Sequence, residues 1–194
     1  MRDKLSVLKE YFGHDSFREG QDRITDSLLG GRDVLGIMPT GAGKSICYQV
    51  PALMFDGITI VVSPLISLMK DQVSALVQSG VAAAYINSSL THAQYLKVLQ
   101  NTESGKYKII YVAPERLCAP AFLGICRNLN ISMVAVDEAH CVSQWGQDFR
   151  PSYLKIPDFI DALNSRPVVG AFTATATGAV RDDIKTLLRL VSPL

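Results

Sequence analysis

The sequence predicts an open, doubly wound α/β fold, a mainly parallel sheet with helices on both faces. Three observations carry this. Short β-branched runs recur between segments of helical length, the pattern of strands buried on both sides. Apolar residues make up 48% of the chain and charged residues 19%, which supplies a two-sided core and excludes intrinsic disorder. Alternation of this kind favours right-handed crossovers, which wind a sheet from a central switch point. At 194 residues there is room for one large domain, with an elaboration at most.

The first element is a helical flap over residues 1–30, with Leu5, Leu8, Tyr11 and Phe12 on one face and Ile24, Leu28 and Leu29 on another. Residues 31–194 form the main domain. Its strands are expected at Asp33 to Met38, Ile58 to Ser63, Ala82 to Ile86, Lys108 to Val112, Ser132 to Asp137 and Val168 to Thr173. Helices are expected at Lys44 to Phe55, Leu65 to Ser79, Thr91 to Thr102, Arg116 to Asn128, Tyr153 to Asn164 and Gly178 to Leu190. No internal repeat and no linker-like run of Gly, Ser or Pro divides the chain. The closing Val191-Ser192-Pro193-Leu194 reads equally as a trimmed linker or a natural terminus.

Nineteen Lys and Arg against eighteen Asp and Glu give a net charge of +1, so no global field draws the chain to polyanions. Contact with nucleic acid must therefore be local. Cysteines 47, 118, 126 and 141 form no CxxC pair, which indicates neither a zinc site nor a disulfide framework. The longest apolar stretch, Ile58 to Met69, is broken by Ser63, Pro64 and Ser67 and falls short of the roughly 20 residues of a membrane span. With no signal-peptide pattern at the start, a soluble cytoplasmic protein without a membrane partner is expected.

Chemistry concentrates at two strand ends. Pro39-Thr40-Gly41-Ala42-Gly43-Lys44-Ser45 follows the first strand and opens a helix. Glycines there let backbone N–H groups turn onto phosphate oxygens, and the helix N-terminus adds partial positive charge. Lys44 would reach the β and γ phosphates of ATP, and Ser45 would ligate Mg²⁺. The generic phosphate-loop pattern asks for glycine where Met38 stands and so fails by one position. The fifth strand ends in Asp137-Glu138-Ala139-His140. We assign Asp137 to the metal and Glu138 to the attacking water. His140 has no second ligand at zinc spacing.

These motifs resemble the first RecA-like motor domain of superfamily 2 helicases, specifically the RecQ DNA helicases, from about Phe12 to Ala176. Phe17-Arg18-Glu19-Gly20-Gln21 is similar to the family's adenine motif, which implies that Gln21 reads the base, with Arg18 nearby and His14 in the place of a stacking ring. Ser63 to Gln72, with Ser63 and Lys70, and Ala113 to Leu117, with Arg116, are similar to DNA-side motifs. Phe172-Thr173-Ala174-Thr175-Ala176 resembles the coupling motif, implying coupling roles for Thr173 and Thr175. Ser143 to Pro151 resembles the aromatic-rich loop that senses single-stranded DNA, implying DNA contact by Trp145, Phe149 and Arg150 and a relay through His140, Gln144 and Gln147. Stacking faces and a guanidinium suit that work. The family usually has histidine where Gln147 stands, so a hydrogen bond can persist there but a titratable group cannot.

The resemblance implies an ATP-dependent motor that moves 3′ to 5′ on single-stranded DNA, opens duplex junctions and serves recombination and repair. It also implies a second RecA-like domain that supplies arginines to the γ-phosphate. Without that half, little unwinding by these 194 residues is expected. Two other readings stay open: a nucleotide- or DNA-binding module with little turnover, and a DNA-independent P-loop ATPase or kinase. The last leaves Gln21, Ser63 to Gln72 and the Trp145 loop without a role.

Overall fold

A computed structural model describes residues 3–194. Two helices, α1 (Lys4–Phe12) and α2 (Gln21–Leu29), precede strand β1 (Val34–Ile37). Then β and α alternate: α3 (Lys44–Met54), β2 (Ile58–Val62), α4 (Ile66–Gln78), β3 (Ala83–Ile86), α5 (His92–Glu103), β4 (Ile109–Val112), α6 (Pro120–Arg127), β5 (Ile131–Val136), α7 (Ile156–Asp161), β6 (Val168–Thr173) and α8 (Gly178–Leu187). Among the described residues the strands form one six-stranded sheet in the order β1-β6-β5-β2-β4-β3, and every pair is parallel. The sheet is thus wholly rather than mainly parallel.

The crossover from β1 to β2 passes over β6 and β5 and that from β2 to β3 passes over β4, after which the chain turns back at the β3 edge and returns through β4, β5 and β6, so that β5 and β6 fill the gap left beside β1 and their C-terminal ends line a crevice there. Strand β6 separates the strand before the glycine loop from the strand before the acidic pair. The two are not neighbours, and Thr173 at the end of β6 stands between them.

Successive residues of each strand feed opposite faces. Ile60, Val62, Val134 and Val136 join Phe122 of α6 and Phe159 of α7, whose rings stack with centroids 6.2 Å apart. Val61, Met133, Ala135 and Phe172 pack with Leu28 of α2, Tyr48 of α3 and Met69 of α4. Helix α1 buries Val7 and Leu8 against Val50 of α3. Leu5, expected on its apolar face, is 43% exposed because the contact is centred on the following turn.

Two helices start later than periodicity suggests. A short 3₁₀ turn at Pro114–Arg116 comes before α6, which begins at Pro120, and another at Pro151–Lys155 comes before α7. In each case proline fits the first turn, where its missing N–H costs nothing, and sets a new start. Helix α5 begins where its capping box dictates: Thr91 Oγ accepts from the Gln94 N–H, and the Gln94 side chain accepts from the Thr91 N–H.

Asp33 holds the far edge of the sheet together. Its buried carboxylate accepts from Arg166 Nη1 and Nη2 at 3.2 and 2.6 Å, from the Val169 N–H at 2.9 Å and from the Val191 N–H at 2.7 Å. The start of β1, the start of β6 and the segment after α8 therefore share one anion. Asp33→Ala would strand these donors and is expected to cost about 3 kcal/mol, read as a lower urea midpoint with the slope unchanged.

Candidate active site

A cleft of about 400 Å³ opens at the C-terminal ends of β1 and β5. The glycine loop forms one wall. Gly41 and Gly43 hold φ of 84° and 80°, left-handed values that glycine adopts without strain and that let the loop curl ahead of α3. Thr40, Gly41, Gly43, Lys44 and Ser45 line the cleft. Ala42 does not: its methyl group packs toward the core beside α2 and α3. Its carbonyl serves another purpose, accepting from Gln21 Nε2 at 3.1 Å, as does the Gly43 carbonyl at 3.1 Å.

Gln21 thus ties α2 to the loop. Its Oε1 accepts from the Arg18 N–H at 2.8 Å, and Arg18 Nη1 donates to the Gly41 carbonyl at 2.8 Å. Both amide hydrogens of Gln21 are committed to loop carbonyls, so base reading by Gln21 requires an exchange of partners. The structure brings His14, Arg18 and Gln21 to the cleft together.

The opposite wall is acidic. Lys44 Nζ lies 3.3 Å from Glu138 Oε1 and 4.0 Å from Asp137 Oδ1. Burial pushes the Asp137 carboxyl up to about 6, with Lys44 pulling it down and Glu138 pushing it up. Its main chain is fixed from below, where the buried Tyr153 hydroxyl donates to the Asp137 carbonyl at 2.8 Å. Glu138 takes φ 48° and ψ 46°, left-handed for a side-chain-bearing residue, a strain of about 1–2 kcal/mol that turns its carboxylate toward Lys44. A buried carboxylate whose desolvation Lys44 only partly offsets, lining the same cleft as Ser45, fits Mg²⁺. That ion takes one or two protein oxygens and draws the rest from phosphate and water. Among the described residues no cluster of three or more His, Cys, Asp or Glu could hold a metal by itself.

From Glu138 a chain of contacts leads away from the cleft. His140 Nδ1 is 3.3 Å from Glu138 Oε2 and 2.9 Å from Thr173 Oγ1, and the Thr173 hydroxyl donates to the Thr175 carbonyl at 3.1 Å. Because that hydroxyl has already spent its proton, Nδ1 must carry the hydrogen and donate, which fixes the tautomer. His140 also lines a second hollow of about 490 Å³, with Trp145, Gln147 and Thr175 on its rim. Trp145 is 78% exposed.

The remaining sequence candidates divide. Lys70 on α4 is exposed, as is Gln144 beside Trp145, while Phe149 is half-buried. Arg150 is held by Asp148 Oδ2 at 3.0 and 2.8 Å and donates to the Pro64 carbonyl at 3.3 Å, tying the tryptophan loop to the segment after β2. Arg116 lies over the Tyr95 ring, 6.0 Å from its centroid, at a separate hollow with Asn87 and His92. Ser63 is corrected: its side chain is 1% exposed, so it cannot meet a DNA phosphate as placed. Its hydroxyl, among the described residues, has no hydrogen-bond partner.

Residues 18–184 match the family model described as DEAD/DEAH box helicase. The chain belongs to the DEAD/DEAH box helicase family. It is 52% identical over 180 residues to the ATP-dependent DNA helicase RecQ of Bacillus subtilis (strain 168), covering 92% of this chain and 30% of that protein. With the enzyme of the same name from Pasteurella multocida (strain Pm70) the figures are 48% over 189 residues, 97% and 30%. The chain therefore spans about 30% of the length of these relatives. Among solved structures, a hypothetical ATP-dependent RNA helicase from Sulfolobus tokodaii superposes with a TM-score of 0.75 at 21% identity, covering 97% of this chain and 55% of that one. The DUF1998 helicase MrfA bound to DNA gives 0.77 at 16%, covering 98% and 28%. These two share the fold of this DEAD/DEAH box helicase domain.

Sequence reasoning missed several parts of the helicase-family cleft. Ser16, Ile46 and Leu68 line it, and Tyr153 braces Asp137 from outside. Ser16 and Ile46 flank quoted motifs and Leu68 lies inside one, but nothing in their chemistry marks them. Tyr153 reads as ordinary core. Among the described residues no helix is long and apolar enough to cross a membrane.

The Asp137 shift yields a pH test. Its folded value, about 6, lies above the unfolded 3.8, so the protonated form is favoured by folding and the charged form costs stability above pH 6. In metal- and nucleotide-free buffer Asp137→Asn is expected to be more stable than wild type at pH 7 by on the order of 3 kcal/mol. That advantage should shrink as pH falls through about 6 and vanish near 4, which paired urea titrations would read.

Proposed function

We propose that this chain is the first motor domain of a RecQ-type, ATP-dependent DNA helicase that translocates on single-stranded DNA, 3′ to 5′ by resemblance, and separates duplex junctions in recombination and repair. The observation that carries the reading is the single ammonium of Lys44, lodged between a glycine loop and two strand-end carboxylates, with a hydrogen-bonded path from one of them toward an exposed tryptophan. A second RecA-like domain in the same protein completes the ATP site with arginines.

In this mechanism the amides of Gly41 to Lys44 and the Lys44 ammonium hold the β and γ phosphates, while Gln21 and His14 face the adenine. Ser45 and Asp137 would hold Mg²⁺, which supplies charge neutralisation to the triphosphate oxygens when bound. Arrival of phosphate gives Lys44 new anionic partners and frees Glu138. Glu138 then orients the attacking water and takes its proton as the terminal phosphoryl group leaves ADP. His140 keeps Glu138 aimed and reports through Thr173 and Thr175 to the loop of Gln144, Trp145 and Gln147. Trp145, with Phe149, Arg150, Lys70 and Arg116, offers stacking and phosphate contacts to single-stranded DNA.

A chain carrying both motor domains should hydrolyse ATP faster with single-stranded DNA, and Trp145→Ala should cut that stimulated rate at least about fivefold, since base–aromatic stacking is worth about 1–3 kcal/mol. Affinity for a non-hydrolysable ATP analogue should stay within about twofold, because Trp145 lies outside the cleft. Lys44→Ala should instead weaken analogue binding at least about tenfold. ATP turnover indifferent to DNA would sink the motor reading in favour of a DNA-independent ATPase.

A further inference from the structure

Trp145 is bound at its base by a contact that belongs to neither the cleft nor the His140 path. The Trp145 N–H donates to Ser143 Oγ at 3.1 Å, and the Ser143 hydroxyl donates in turn to Asp183 Oδ2 at 2.6 Å. Ser143 is wholly buried, so this hydroxyl sees no water, and the short link to a carboxylate is of the charge-assisted kind. Asp183 sits on α8, one turn beyond Val180, which lines the same hollow as Trp145, and next to the buried Ile184. Helix α8 is the element that follows Thr173 to Thr177, and Thr177 caps it by accepting from the Val180 N–H.

The tryptophan loop is therefore fastened twice to one stretch of chain: through His140 to Thr173 ahead of α8, and through Ser143 to Asp183 within it. The loop is also tight. The Gly146 N–H donates to the Ser143 carbonyl at 3.0 Å, and a methyl group on Gly146 would come within 2.4 Å of the His140 carbonyl. A loop so closed moves with its anchors instead of flexing independently.

We propose that Asp183 is a positioning residue: acting through the Ser143 hydroxyl, it holds the Trp145 turn in register with the Thr173 to Thr177 segment, so that a base stacked on the indole displaces α8 and Thr173 together. This rests on the reading of Trp145 as a DNA contact. Asn in place of Asp183 keeps a carbonyl oxygen for the Ser143 hydroxyl, whereas Ala removes it.

Trp145 is the sole tryptophan of the chain, so its fluorescence reports the loop directly. Time-resolved anisotropy on this chain, without nucleotide or DNA, should follow overall tumbling in the wild type and in Asp183→Asn. Asp183→Ala and Ser143→Ala should each add a fast segmental component, and the double variant should add no more than either alone. Asp182→Ala, on the same helix and solvent-facing, should behave as wild type. Quenching of Trp145 by an oligothymidylate should need roughly tenfold more oligonucleotide in Asp183→Ala and Ser143→Ala. Retained far-ultraviolet circular dichroism and thermal midpoints separate loosening from unfolding, and Ser143→Ala tests the same bond should Asp183→Ala not fold.

Anisotropy decays identical to wild type in folded Ser143→Ala or Asp183→Ala would overturn the proposal. A fast component in both, with no quenching of the wild type by oligothymidylate, would uphold the tether and overturn the assignment of Trp145 to DNA.

Discussion

The Lys44 ammonium organises this molecule. It lies within 4.0 Å of Asp137 and 3.3 Å of Glu138, in a crevice that burial has already made costly for charge. To bring those three side chains together the fold needs a loop curled by left-handed glycines, a helix that starts at Lys44, and a strand that ends in a strained turn at Glu138. Each feature is unfavourable or neutral locally. The parallel sheet, buried on both faces, holds them in place.

That arrangement leaves the acidic pair incompletely satisfied. One ammonium lies near two carboxylates, and burial raises the Asp137 carboxyl to about 6, so that its charged form is costly and a cation brought close to it would relieve that cost. The destabilised carboxylates and the glycine loop proposed to hold phosphate thus share one cleft, as expected where function is held at a cost in stability. In the path from Glu138 through His140 to Thr173, His140 Nδ1 lies within hydrogen-bond reach of both Glu138 Oε2 and Thr173 Oγ1, so a change in the Glu138 carboxylate alters the partners open to His140.

Most of the fold was legible because strand burial is continuous and helix periodicity is strong. β2, β4 and β5 are runs such as Ile58 to Val62 that scarcely any other element could accommodate. The sites of the glycine loop and acidic pair were legible for a different reason: rare residue types at fixed spacing leave few alternatives. What escaped depended on three-dimensional neighbours. Leu5 lost its place in the core because α3 meets α1 at Val7 and Leu8, and Ser63 was drawn inward where a phosphate contact was expected. No periodicity could say that Tyr153 would brace Asp137, that β6 would intervene between β1 and β5, or that Asp183 would lie beside Ser143 forty residues earlier.

The Gly41–Lys44 cleft and the Trp145 loop form one connected unit through His140. The most direct measurement is the emission of Trp145 during titration with a magnesium–ATP analogue, in wild type and in His140→Ala, with binding followed separately by a labelled nucleotide. Emission should change in step with occupancy in the wild type, and His140→Ala should bind the analogue without the change. Emission that stays constant in the wild type while the cleft fills would contradict it.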